Sequence, residues 1–138
     1  MYNIVMEKIS KSVNDTENIA IEFAKSLTKG DVVVFEGDLG AGKTAFVKGL
    51  CKYFGIQDGV TSPTYAYLNV YNDYIYHYDC YRLSCGEDAE ALGLTDYFNG
   101  DNICLIEWAE NISDALPNEY KTVRIEKIDE NIRRIIFK

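Results

Sequence analysis

The chain has 138 residues, 47% of them hydrophobic, and sets 22 acidic against 14 basic side chains for a formal net charge of -8. That length and apolar content suit one domain with a real core, while the acidic balance argues against the clustered Lys and Arg on which direct nucleic-acid binding rests. The longest apolar runs, such as Val32 to Phe35, fall far short of the roughly 20 residues a membrane helix requires, so no membrane association is expected.

In chain order, Ile19, Ala20, Phe23, Ala24 and Leu27 share one face of a helix predicted over Thr16 to Leu27, with Lys29 and Gly30 as its stop signal. Val32, Val33, Val34 and Phe35 read as a strand buried on both faces, as in a parallel sheet. After a glycine-rich turn, Val47, Leu50, Cys51 and Phe54 recur at helical spacing until Gly55. Two tyrosine-rich strands, Tyr65 to Tyr71 and Tyr74 to Tyr78, flank the hairpin signal Asn72, Asp73. A short acidic helix follows over Glu87 to Leu92, then a second buried strand over Ile103 to Ile106, then closing strands over Lys121 to Lys127 and Arg133 to Phe137. No linker, repeat or low-complexity tract interrupts this order, so residues 1–138 are read as a single domain. The fold class expected is α/β, a P-loop NTPase of three α/β/α layers whose mixed sheet is parallel at its centre with antiparallel strands added.

Gly37, Asp38, Leu39, Gly40, Ala41, Gly42, Lys43 and Thr44 match G-x-x-x-x-G-K-[ST] between a predicted strand and a predicted helix, the setting this phosphate-binding motif needs. Glycines let main-chain N–H groups approach a phosphate, and the helix that follows aims its positive dipole end at the same anion. Lys43 is positioned by the motif to reach the β- and γ-phosphates, and the Thr44 hydroxyl to ligate magnesium, a hard cation that favours oxygen ligands. ATP and Mg2+ are therefore the expected cofactors.

Such a site needs carboxylates at the ends of neighbouring strands. Glu107 directly follows the apolar run Ile103 to Ile106, an acid placed to hold magnesium or orient the attacking water. Asp79 follows the strand Tyr74 to Tyr78 and is the second candidate. Thr61, Ser62, Pro63 and Thr64 are read as a hydroxyl-rich loop before a strand, with Thr64 expected to sense a γ-phosphate. Trp108, the sole tryptophan, should point away from Glu107 if the strand continues, and is read as core packing. His77, the sole histidine, is read as a hydrogen-bonded structural residue without chemistry. Cys51, Cys80, Cys85 and Cys104 match neither a redox pair nor a zinc spacing, and no signal-peptide pattern stands at Met1, so a reducing cytosol is expected.

These pieces together resemble a known family, that of the bacterial tRNA threonylcarbamoyladenosine biosynthesis ATPase, TsaE or YjeE. The resemblance rests on GDLGAGKT at Gly37 to Thr44, TSPTY at Thr61 to Tyr65, HYDCYRL at His77 to Leu83, GLTDYF at Gly93 to Phe98 and LIEWAE at Leu105 to Glu110. It implies ATP contact from the phosphate loop, magnesium held by Thr44 and Glu107, and roles around the nucleotide for Thr64, Asp79 and Trp108. For the adenine it implies Ser12 or Thr16 and Arg133. Cys80 stands where the family usually has leucine, one buried apolar side chain for another. The implied role is ATP hydrolysis in support of a partner complex of TsaB and TsaD, with tRNA bound mainly by those partners.

A small-molecule kinase would use the same loop but needs an acceptor pocket and arginines around the transferring phosphoryl group. Arg82, Arg124, Arg133 and Arg134 are the only arginines, which leaves little for such a lid. A GTPase is disfavoured by the absence of N-K-x-D, and a non-hydrolysing nucleotide module would be separated by phosphate release in the presence of partners.

Overall fold

The computed structural model describes residues 6–38, 40–57, 60, 67–98 and 100–138; these form seven strands, three α-helices and two 3-10 segments. They gather into two compact units, the first from Met1–Leu27, Glu36–Thr61 and Thr122–Lys138, the second from Thr28–Phe35 and Ser62–Lys121. The strands are of mixed direction and alternate with helices, the α/β class expected. No helix among the described residues is long and apolar enough to cross a membrane.

The first unit holds β1 (Met6–Ser10), α1 (Val13–Ala24), α2 (Lys43–Tyr53), β6 (Lys121–Lys127) and β7 (Arg133–Phe137). Its strands run β1-β7-β6, antiparallel throughout, with Phe137 opposite both Met6 and Val123. Strand β1 is absent from the sequence-based expectation, because exposed Met6 and Ile9 give it no clear alternating pattern. Helix α1 begins three residues before the expected Thr16, since Ser12 caps it: its side chain accepts from the Asp15 N–H at 3.0 Å, and Asp15 accepts from the Lys11 N–H at 2.9 Å. It also ends early, at Ala24; Ser26 and Leu27 close a tighter turn onto the carbonyls of Phe23 and Ala24. Both helices meet β7 through Phe23, Phe46 and Phe137, with Phe23 stacked on Phe137 at 5.0 Å and tilted against Phe46 at 5.9 Å.

The second unit holds β2 (Val32–Glu36, whose last residue belongs to the first unit), β3 (Leu68–Tyr71), β4 (Ile75–Asp79), α3 (Gly86–Ala91) and β5 (Ile103–Glu107). β2, β5 and β4 are parallel neighbours, and β3 adds antiparallel to β4. All five residues of β5 are buried, as a strand covered on both faces requires. The hairpin between β3 and β4 turns at Asn72 and Asp73, whose φ of 53° and 55° have the signs of a type I′ turn. Tyr78, Ile106 and Ile112 lie at the centre of the core that α3 and the 3-10 segments Leu94–Tyr97 and Ala109–Ala115 close. The predicted strand start at Tyr65 and Ala66 lies outside the described residues.

Candidate functional site

In the first unit, the loop between β2 and α2 is shaped by two glycines. A Cβ on Gly37 would stand 2.5 Å from the carbonyl oxygen of Ile125, so only glycine lets the loop leave the strand this close to β6. Gly42 caps α2 at φ 111°, a conformation other residues rarely adopt. No side chain caps this helix and its first turn carries no acid. Its positive dipole end thus faces the loop with no side-chain cap or acid competing for it. Lys43 is buried at 7% exposure, Thr44 and Asp38 are exposed, and Ala41 is buried, its N–H donating to the Asp38 carbonyl at 3.1 Å. Leu39 lies outside the described residues, as do Thr61 to Thr64, the expected γ-phosphate sensor Thr64 among them.

Beside this loop is a small cavity, about 80 Å³, lined by Ser12, Thr16, Gly42, Ala45, Asn131 and Arg133 among others. The three residues expected near the base are therefore gathered in one place. Arg133 holds the cavity wall: its Nε donates to the Ala41 carbonyl at 2.8 Å, and its Nη1 donates to the carbonyls of Asp129, Glu130 and Ile132. The Thr16 hydroxyl is committed inward. Ser10 Oγ donates to the Ser12 carbonyl, so the 2.7 Å contact between the two hydroxyls has Thr16 donating to Ser10. Glu130 and Asn131 also line the cavity. Sequence reasoning misses them because they sit in a turn with no periodicity to mark them.

In the second unit, Asp79 and Glu107 end neighbouring parallel strands and are direct register partners. Both are buried, at 6% and 5% exposure. Asp79 Oδ1 accepts from the Tyr81 N–H at 3.0 Å, and Glu107 Oε2 lies 2.6 Å from His77 Nε2. His77 is hydrogen-bonded, as expected, but one of its partners is the candidate acid itself. The H-x-D spacing puts His77 and Asp79 on one face of β4, because residues two apart on a strand share a face, but only the pairing of β4 with β5 brings Glu107 to that face. For Trp108 the condition of a continuing strand is not met, while the core-packing reading holds. The strand ends at Glu107, and Trp108 adopts φ 59°, ψ 37°, starting a 3-10 turn instead of extending β5. Its ring packs partly buried on the core and edge-on to Tyr81 at 4.9 Å. A tryptophan in the left-handed region is strained, and such strain persists where surrounding structure enforces it.

The oxygen donors expected for magnesium, a threonine hydroxyl and a carboxylate, suit a hard cation. Among the described residues no group of three or more His, Cys, Asp or Glu is arranged to hold a metal unaided.

Comparison with known proteins gives the same direction. The family profile described as "Threonylcarbamoyl adenosine biosynthesis protein TsaE" matches residues 10–136. The chain belongs to the TsaE family. A relative from Bacillus subtilis (strain 168), named tRNA threonylcarbamoyladenosine biosynthesis protein TsaE, is 42% identical over 92% of this chain and 82% of its own length. A TsaE of the same name from Treponema pallidum (strain Nichols) is 39% identical over 94% of this chain and 98% of its own. A solved structure titled "Crystal structure of Bacillus subtilus YdiB" superposes with a TM-score of 0.84 at 35% identity, over 99% of this chain and 86% of that one. The TsaE match spans both compact units and both sets of candidate residues.

Proposed function

We propose that this chain is the ATP-hydrolysing member of the machinery that installs N6-threonylcarbamoyladenosine in tRNA, acting in the cytoplasm as a nucleotide-driven switch on a TsaB–TsaD pair. The observation that carries the reading is the uncapped N-terminus of α2 behind a loop that only glycines can form, set beside the cavity walled by Arg133. Asp38, Leu39, Gly40, Ala41 and Gly42 supply the loop that cradles the phosphates, and Lys43 neutralises the β- and γ-phosphates. The Thr44 hydroxyl and the Glu107 carboxylate would hold magnesium, which when bound would offset charge on the phosphate oxygens. Glu107 also orients the attacking water, with Asp79 beside it. Thr64 senses the γ-phosphate, and Trp108 lies near the nucleotide. Ser12 or Thr16, together with Arg133, contacts the adenine. The family name and the relatives' names support the place in tRNA modification. Because the chain is acidic, tRNA is held by the partners rather than by this surface.

Phosphate release from ATP should be slow for the chain alone and rise when TsaB, TsaD and tRNA are added, and Glu107→Ala should remove the rise. An activity indifferent to partners and to that substitution would refute the proposal.

A further inference from the structure

We infer that His77 is a positioning residue for Glu107: it holds one carboxylate oxygen so that the other is presented in a fixed direction to cation or water. This rests on the role proposed for Glu107 and adds a residue to it. The ring is 2% exposed, and Nε2 lies 2.6 Å from Glu107 Oε2, shorter than the roughly 2.7 Å at which charge-assisted N–H···O contacts begin. On its other side Nδ1 lies 3.2 Å from the Tyr71 hydroxyl, so both nitrogens are engaged and the ring cannot turn without losing a bond. Tyr71 is in turn pinned where β3 meets the hairpin, opposite Ile75. A chain of contacts thus runs from the tight turn, through Tyr71 and His77, to the end of β5.

The chemistry follows from the atoms. An ionised carboxylate only accepts, so Nε2 must carry the proton that is shared with Oε2, whatever the charge of the ring. A glutamate has three rotatable bonds, and a free one would sample many directions; with Oε2 held, the hydrogen bonds of the described residues leave Oε1 uncommitted. Asp79 is held differently, by a backbone N–H. Glu107 is thus held by a side chain that substitution can remove. Outer-shell partners of this kind typically cost about 10- to 100-fold in metal affinity or activity when removed.

The test compares His77→Leu, His77→Gln and Glu107→Gln by calorimetric titration with ATP at a series of Mg2+ concentrations, each variant first checked for cooperative melting. Glutamine places an amide donor near the position of Nε2; leucine has none. We expect His77→Leu and Glu107→Gln to need about 10- to 100-fold more Mg2+ for half-maximal tightening, and His77→Gln to stay within about threefold of the unsubstituted chain. Because His77 is the sole histidine, nitrogen-15 NMR of the unsubstituted protein reports its tautomer directly, and a proton on Nε2 is expected. If Glu107→Gln is impaired while His77→Leu is normal, the inference fails and the assignment of Glu107 stands. Normal behaviour of Glu107→Gln removes both. Should His77→Leu not fold, a bare Nε2 in the NMR spectrum, or a folded His77→Gln as impaired as Glu107→Gln, would overturn the inference.

Discussion

Arg133 Nε donates to the carbonyl of Ala41 at 2.8 Å, tying the start of the last strand to the middle of the phosphate loop across 92 positions of sequence. The same guanidinium gathers the carbonyls of Asp129, Glu130 and Ile132 through Nη1. One side chain therefore sets the shape of the loop and of the turn that lines the neighbouring cavity. A planar fork can serve these acceptors together, whereas an ammonium on a flexible stem cannot hold the same directions.

Arg133→Ala should lower stability by about 1.5–3 kcal/mol, the range for hydrogen bonds to a charged group, and weaken ATP binding by about tenfold, since about 1.4 kcal/mol is one decade. Arg133→Lys should recover little of either. Denaturant melts and calorimetry on the three proteins check this. A lysine variant equal to the unsubstituted chain would show that charge alone matters.

Gly49 tests the seat of α2. A Cβ there would lie 2.5 Å from the Glu17 carbonyl oxygen and 2.7 Å from the Glu17 Cα, with the Ala20 Cβ at 3.0 Å. Alanine would gain about 1 kcal/mol in helix propensity, but it must push α1 away from α2, and overpacking costs about 1–3 kcal/mol. Gly49→Ala should therefore be destabilising on balance. Thermal denaturation would show a lowered midpoint; a raised one would mean that the two helices separate without penalty.

How far the residues themselves announced this arrangement depends on whether the signal was local. Val32 to Phe35 and Ile103 to Ile106 are continuous apolar runs, and they form parallel partners with Val32 opposite Cys104. Lys121 to Lys127 and Arg133 to Phe137, read as closing strands, appear with the predicted bounds. Asn72 and Asp73 marked the hairpin, but their positive φ depends on the conformation selected between paired strands. Ser12 was legible as a cap in principle, yet apolar spacing drew the helix start to Thr16. The left-handed Trp108 was not legible, because nothing in Glu107, Trp108, Ala109 says that the strand stops there. The His77 to Glu107 contact links residues 30 apart and needed the register of β4 against β5.

Burial makes three of the four cysteines inert. It pushes the thiols of Cys51 and Cys80 up to about 12 and that of Cys104 up to about 11, whereas Cys85 is partly exposed. Only the thiolate reacts. At pH 8 a thiol reagent should label one cysteine quickly in the folded protein and all four in urea. The sign of the linked stability effect follows. These groups bind protons more tightly when folded, so their contribution is full below the ordinary thiol value of 9.0 and is lost as pH rises from there toward 11 and 12. Chemical denaturation between pH 8 and 11 should show a falling free energy, and rapid labelling of Cys51 in the folded chain would contradict this picture.

Binding of ATP to the loop that Gly37 and Gly42 shape is the claim from which every other assignment follows, and Lys43 is its most direct probe. Calorimetric titration of Mg·ATP into the purified chain should show one site. Lys43→Ala should weaken it by about a hundredfold or more, as loss of charged hydrogen bonds to two phosphates implies, while the melting curve stays cooperative. ATP bound by the folded Lys43→Ala variant with undiminished affinity would contradict the account.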